Sequence, residues 1–303
     1  MEYVIKTNNL CRQFSSVKAV NNLNLNVPKG SVYGFLGPNG AGKTTTIKML
    51  LGLTKPSAGT IQVLDQSAPS ENYLHRIGFL PDVPNFYSWM RGDEFLTFVG
   101  QLFDIPKAEL NRRKAELLEI TGLKGVKTKI GGYSRGMKQR LGLAQALINE
   151  PEVVFMDEPT SALDPIGRKE ILETISIISQ RSTVFFSTHI LTDVERVCNR
   201  VGILNHGELI REDTIAGLHQ DYANNAFRLG IIGDPAPFIQ ELKTKAWVQD
   251  VHEEKDSLLL TAFDIKAVQH EIPSLLTKHE LGLSKLEQVE MTLEDIFVRL
   301  VKS

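Results

Sequence analysis

One run of eight residues, GPNGAGKT from Gly37 to Thr44, restricts this chain more than any other part of it. It follows the apolar segment SVYGFL and precedes a helix-forming stretch, the strand–loop–helix setting that the pattern G-x-x-x-x-G-K-[ST] requires. Backbone N–H groups of such a loop wrap a phosphate, and the positive end of the following helix adds to the attraction. Lys43 is spaced to reach β- and γ-phosphate oxygens, and the Thr44 hydroxyl to bind Mg2+. An ordinary glycine turn needs neither the lysine nor the flanking elements. The chain therefore reads as a binder of nucleoside triphosphates on an α/β scaffold.

A second segment, VVFMDEPTSALD from Val153 to Asp164, supplies the carboxylates such a site needs. Its apolar strand delivers Asp157 to the C-terminal end, where ligands bind in open α/β sheets. Asp157 is suited to holding Mg2+, and Glu158 to polarising a water for attack on the γ-phosphate. A helix-capping acid pair is the bland alternative, and the phosphate loop upstream argues against it. His189, in STHIL, also follows an apolar strand, TVFFST. A lone histidine is more often a core or cap residue, but a strand end beside the expected γ-phosphate favours a role in the site.

Elsewhere the pattern is consistent with this scaffold. Residues 1–35 read as strands, with Leu23, Leu25 and Val27 alternating with asparagines at the period of a half-buried strand. Residues 84–147 read as largely helical, with LNRRKAELLEITGL and KQRLGLAQALI as amphipathic segments. A helix is expected over Arg168–Gln180 and another over ILTDVERVC, with Cys198 on its apolar face beside Leu191 and Val194. Strands alternating with helices indicate a parallel sheet. Near Gly217 the character changes: residues 217–303 carry nine Lys/Arg against fourteen Asp/Glu, leaving +3 on the first 216. The later order, strand (AFRLGII), helix, two strands (VQDVHEE, SLLLTAF), helix, strand (KLEQVE), helix, suits a small ferredoxin-like α+β module. Thr292 and Asp295 resemble a capping box opening the last helix. The expected domains are thus 1–216 and 217–303.

Bulk properties exclude several classes. At 303 residues the chain can hold two domains, and 42% hydrophobic content is ordinary for a globular protein. A net charge of −2 offers no global field for nucleic acid. Cys11 and Cys198 have neither metal nor redox spacing, and His252, His270 and His279 read as solvated surface histidines. The N-terminus lacks a signal-peptide pattern, and no stretch approaches eighteen apolar residues. A cytoplasmic protein is expected.

One stretch remains, GGYSRGMKQRLGLAQAL from Gly131 to Leu147: a glycine-rich basic loop entering an amphipathic helix. A helix N-terminus with nearby cations is a second anion site. GPNGAGKTT, YSRGM followed by KQRLGLAQAL, VVFMDEPTSALD and STHIL, in this order and spacing, resemble the ATPase subunit of an ABC transporter. The resemblance covers residues 1 to about 216. The ending MTLEDIFVRLVKS looks like the exporter-type branch with a short C-terminal extension.

The resemblance implies a P-loop ABC-ATPase domain with a parallel core sheet, an antiparallel β subdomain and a helical subdomain near 84–147. It implies ATP binding by Gly37, Pro38, Asn39, Gly40, Ala41, Gly42, Lys43, Thr44 and Thr45, with Phe14 stacked on adenine, although sequence alone ranks Phe14 as core. It assigns Asp157 to Mg2+, Glu158 to general base, His189 to a switch contacting the γ-phosphate, and Ser161, Ala162, Leu163 and Asp164 to the D-loop. Asp82, in GFLPD, stands where most of the family has a glutamine bound to Mg2+ and water, so it is a candidate metal ligand or simply the start of the turn at Val83-Pro84. Ser134 and Gly136 match the family signature that caps the ATP of a partner chain, with Arg135 an added cation. Phe86, Tyr87, Trp89 and Met90 read either as a folded-in loop core or as a groove gripping a helix of a separate membrane-spanning permease.

The implied mechanism is ATP-driven, head-to-tail closure of a homodimer or paired ATPase, pulling the permease between inward- and outward-open states. Rival readings are a soluble ABC-type ATPase acting on nucleic acid or ribosomes, an importer subunit, and a nucleotide-binding regulator without turnover. A single phosphate loop, the absence of heptads and the slightly acidic balance weigh against the first.

Overall fold

The computed structural model describes residues 2–68, 70–161, 163–222, 226–254, 257–289 and 291–302. The chain divides into two compact units, Met1–Ile215 and Ala216–Ser303. The first opens on strands β1 (Tyr3–Phe14), β2 (Val17–Pro28) and β3 (Val32–Leu36), then helix α1 (Lys43–Leu50). Strands β4 (Ala58–Val63) and β5 (Gln66–Ser67), helix α2 (Glu71–Leu74) and strand β6 (Ile77–Leu80) follow. Helices α3 (Gly92–Leu102), α4 (Lys107–Ile120) and α5 (Arg135–Leu147) come next. The unit finishes through β7 (Val153–Asp157), α6 (Pro165–Ile178), β8 (Thr183–Thr188), α7 (Leu191–Val197), β9 (Arg200–Asn205) and β10 (Glu208–Thr214), and α8 (Ile215–Tyr222) begins at the division.

Two sheets share the first unit. One is antiparallel, in the order β2-β1-β4-β5; there Leu23, Leu25 and Val27 are fully buried while Asn24 and Asn26 face water. The other runs β10-β9-β3-β8-β7-β6, parallel throughout except for the antiparallel edge strand β10. Every residue of β3, β7 and β8 is buried, as expected of central parallel strands covered on both faces. Their continuous apolar runs are therefore a consequence of position in the sheet.

Three boundaries differ from the sequence reading. The helix expected over Arg168–Gln180 starts at Pro165, because Asp164 caps it and proline is pre-organised for a first turn. Helix α7 stops at Val197, so Cys198 is its cap residue. Its Sγ would lie 2.9 Å from a Cβ on Gly34, and burial next to Asp193 pushes the thiol pKa up. Within 84–147 the residues before Gly92 form no helix.

The second unit contains β11 (Ala226–Ile232), α9 (Ala236–Leu242), β12 (Val248–Glu253), β13 (Leu258–Ala262), α10 (Ile265–Lys278), β14 (Gly282–Gln288) and α11 (Leu293–Lys302). Its sheet order is β12-β13-β11-β14, with every neighbouring pair antiparallel. Leu258, Leu260 and Ala262 join Phe238, Val268, Ile272 and Leu276 in one core. Leu259 and Thr261 are buried as well, and Thr261 accepts a hydrogen bond from Arg299 of α11 at 3.2 Å. At the start of α11, Asp295 N–H donates to Thr292 Oγ1 at 3.2 Å and Thr292 N–H to Asp295 Oδ2 at 3.0 Å, a reciprocal cap. His279 is not a solvated histidine: it is half-buried, with Nε2 2.8 Å from Glu241 Oε2.

Candidate active site

The site is built at the C-terminal ends of β3, β7 and β8. Beyond β3 the chain must turn sharply into α1, and glycine is required where the backbone is crowded. A Cβ on Gly37 would come within 2.5 Å of the Leu204 carbonyl oxygen. One on Gly42, whose φ is +106°, would come within 2.3 Å of the Ala19 carbonyl oxygen. Ala41 N–H donates to Pro38 O at 3.1 Å, and Gly207 N–H to Ala41 O at 3.0 Å, so the loop is anchored from both sides. The N–H groups of Lys43, Thr44 and Thr45 form the first turn of α1, where no intrahelical acceptor exists.

Lys43 is buried, with Nζ donating to Gly37 O at 2.8 Å and Pro38 O at 3.3 Å. The same ammonium lies 3.3 Å from Glu158 Oε1. Thr44 Oγ1 donates to Asp157 Oδ1 at 3.1 Å, and Ser187 Oγ donates to that oxygen at 2.6 Å. Glu158 has φ +48°, a left-handed conformation that its surroundings must enforce. Its N–H donates to Ser187 O at 3.1 Å and to Ser187 Oγ at 3.2 Å. Its other carboxylate oxygen, Oε2, is 2.9 Å from His189 Nδ1. The residues that carried the sequence reading thus meet across three strand ends. Ser187 is the member that reading missed; its only signal was a hydroxyl within the strand TVFFST, two positions before the histidine.

This donor set suits a metal–phosphate ligand. Thr44 and Asp157 offer hard oxygen donors, the kind that Mg2+ takes, and Lys43 with the first-turn N–H groups supplies the positive counterpart for phosphate. Gly40, at φ +83°, has no neighbour within 4 Å of where a Cβ would stand, so the rim of the loop is open. Three or more metal-binding His, Cys, Asp or Glu side chains are not gathered anywhere among the described residues.

Other sequence candidates lie apart from this cluster. Phe14 is 44% exposed rather than core, because it ends β1 next to a turn, and the Arg12 guanidinium stacks 4.3 Å from its ring centroid. Ser134 caps α5 by accepting from Met137 N–H at 3.2 Å. Among the described residues no hydrogen bond or ion pair joins Ser134, Arg135 or Gly136 to the loop at 37–45. Asp82 Oδ1 accepts a 3.0 Å bond from Ser161 Oγ, so this carboxylate holds the segment after Glu158 rather than the Asp157–Thr44 pair. Asp164 accepts from Gly167 N–H at 3.1 Å, and Ala162 lies outside the described residues. Phe86 folds edge-on against Phe95 at 5.0 Å, Met90 is half-buried, and Tyr87 and Trp89, 4.9 Å apart, are exposed.

A parallel α/β sheet that carries a phosphate loop, a lysine, an acid pair and a histidine at its strand ends defines a nucleoside-triphosphate hydrolase of the P-loop class. Residues 20–161 match the ABC transporter family model. The chain is 37% identical, over 98% of its length and 99% of the relative's, to the uncharacterised ABC transporter ATP-binding protein YxlF of Bacillus subtilis. It is likewise 37% identical to the bacitracin transport ATP-binding protein BcrA of Bacillus licheniformis, over 99% of this chain and 98% of that one. The dimeric structure of MJ0796, a bacterial ABC transporter cassette, matches with a TM-score of 0.64 at 25% identity, covering 70% of this chain and 98% of that one. The chain belongs to the ABC transporter ATP-binding proteins: it binds and hydrolyses ATP as the ATPase subunit of such a transporter. No helix among its described residues is long and apolar enough to cross a membrane.

Proposed function

We propose that this subunit powers export through a separate membrane-spanning permease, working as a head-to-tail dimer at the cytoplasmic face of the membrane. The observation that supports the reading is the convergence of Lys43, Thr44, Asp157, Glu158 and His189 at one set of strand ends. Gly37, Pro38, Asn39, Gly40, Ala41, Gly42 and Thr45 complete the phosphate loop, and Phe14 stacks on adenine. Lys43 neutralises Glu158 at rest; drawn onto β- and γ-phosphate oxygens, it leaves Glu158 free to take a proton from the attacking water. His189, now held by the other oxygen of Glu158, contacts the γ-phosphate. Thr44 and Asp157 would hold Mg2+, with Asp82 a further candidate ligand, and the ion would supply charge neutralisation of the phosphates.

Dimerisation completes the site. Ser134 and Gly136, with Arg135 beside them, present a helix N-terminus that among the described residues has no hydrogen bond or ion pair to the loop of its own chain, and a C2 pair brings each signature onto the partner's ATP. Ser161 and Asp164 form the D-loop between the two nucleotides. The exposed Tyr87–Trp89 pair with Phe86 and Met90 forms the permease contact. Export is favoured by the match to a bacitracin transport ATP-binding protein, which runs through the C-terminal module as well. Residues 1–216 form the ATPase domain, with its helical subdomain near 84–147, and 217–303 an accessory α+β domain.

The test is Glu158→Gln: ATP binding and ATP-dependent dimerisation persist while hydrolysis falls by about 10²–10⁴-fold. Near-normal turnover removes Glu158 from its role. Adding Ser134→Arg to that variant abolishes the dimer on gel filtration without loss of ATP binding; a dimer that persists overturns the signature assignment.

A further inference from the structure

The segment carrying Glu158 and the segment carrying His189 are tied twice. The first tie is the Glu158–His189 contact with the Ser187 bonds beside it. The second centres on Asp193 of α7. Asp193, in the first turn of α7, is 1% exposed, and both of its carboxylate oxygens are occupied. Oδ2 accepts from Thr160 Oγ1 at 2.5 Å, and Oδ1 accepts from Arg168 Nε at 2.5 Å. Arg168 also reaches Thr192 Oγ1. Thr160 is itself 1% exposed and stands two residues past Glu158. Arg168 N–H donates to the carbonyl oxygen of Asp164 at 2.9 Å, in the turn that opens α6.

One buried carboxylate therefore joins three segments: the one bearing Glu158, the one bearing His189, and helix α6, which Asp164 caps. A buried ion pair is a poor source of stability, because desolvation offsets the attraction, but a fully satisfied one admits only one geometry. Glu158 needs such a constraint, since its left-handed backbone persists only where the surroundings over-determine it. We propose that Asp193, with Thr160 and Arg168, is a positioning cluster that sets the Glu158–His189 geometry for ATP hydrolysis and links it to the segment at Asp164. The proposal rests on the roles given above to Glu158 and His189. Asp193 acts through α7 and Thr160, and among the described residues no hydrogen bond or ion pair joins it to the phosphate loop.

The expected signature is a fall in kcat with little change in ATP binding. A misplacement of a reacting group on the scale of 1 Å costs up to about 100-fold in rate. In the full-length chain, Thr160→Val removes the hydroxyl at constant volume and lowers kcat by about 10- to 100-fold, with the KM for ATP within about twofold of wild type. Thr160→Ser, which keeps the hydroxyl, restores kcat. The double variant Asp193→Asn/Arg168→Gln leaves no unpaired buried charge, so it folds and still shows the kcat loss per folded molecule. Wild-type kcat in Thr160→Val or in the double variant overturns the proposal, as does a loss that vanishes once activity is normalised to folded protein. His189→Ala separates the two levels. If it leaves kcat unchanged, the assignment of His189 fails; if it lowers kcat while the cluster variants do not, only the positioning cluster fails.

Discussion

The two units spend their buried surface differently. In the first, the central strands β3, β7 and β8 are buried at every residue, and Lys43, Asp157 and Asp193 are charged groups taken out of water at their ends. In the second, the one buried polar side chain among the described residues is Thr261. Its charges stay at the rim: Glu241 gathers Lys278, Lys245 and His279, and Arg228 pairs with Glu254 and Glu287. Burying a charge is costly unless it is fully paired. A unit that accepts this cost at one place, beside a strained Glu158, is organised around that place. A unit that avoids it is organised around its hydrophobic core.

The contrast can be broken most sharply at Lys43. Lys43→Ala strands Glu158 without its cation and removes the phosphate contact; nucleotide affinity measured by fluorescent-analogue titration should drop at least about tenfold, with hydrolysis lost. Wild-type affinity would mean that the buried lysine serves the fold alone. The opposite outcome is expected in the second unit. Leu260→Ala, in its core, should destabilise that unit by about 2–5 kcal/mol, seen as an earlier urea transition of Trp247 fluorescence, while ATP affinity is unchanged. Phe14→Ala should weaken ATP binding by about fivefold, the scale of one lost base stack, with kcat retained; an unchanged affinity would leave the ring with its Arg12 contact and no role in ATP binding.

The smallest expected effect is a pH dependence. Lys278 first and His279 next hold the Glu241 carboxyl down to about 2, against an ordinary value of 4.5. A lowered carboxyl pKa stabilises the folded state above the unfolded value and loses that contribution as pH falls through the folded one. The second unit should therefore lose stability between about pH 4.5 and about pH 2, and Glu241→Gln should flatten that acid branch. An unchanged acid branch would show that these rim pairs are too well screened to matter.

Much of the site was legible because its parts are local. The phosphate loop needs its glycines and Lys43 within one turn, and in the second unit the cap at Thr292–Asp295 is an i, i+3 relation that a sequence displays directly. Phe14 was ranked as core because an aromatic at the end of an apolar-periodic strand has the same pattern whether the strand end is covered or open. Ser187 and Asp193 were missed for a related reason. A polar residue in an apolar strand or on a short helix carries no sign of its partner, and those partners lie 30 and 33 residues away, at Asp157 and Thr160. Asp82 was read as a metal ligand or a turn, and its bond to Ser161 spans 79 residues.

By itself, then, the sequence determined the chemistry on offer: a phosphate loop between strand and helix, an acid pair and a histidine at strand ends, a glycine-rich basic loop entering a helix, and the class of sheet that holds them. Each follows from periodicity or from spacing within a few residues, where backbone geometry leaves little freedom. The tertiary structure decided which of these groups touch. Strand order β10-β9-β3-β8-β7-β6 sets β3 beside β8 and β8 beside β7, and that adjacency alone brings Lys43, Glu158 and His189 within a few ångströms. It also closes the Thr160–Asp193–Arg168 contact behind them, because a buried charge must find its partners wherever the packed fold presents them.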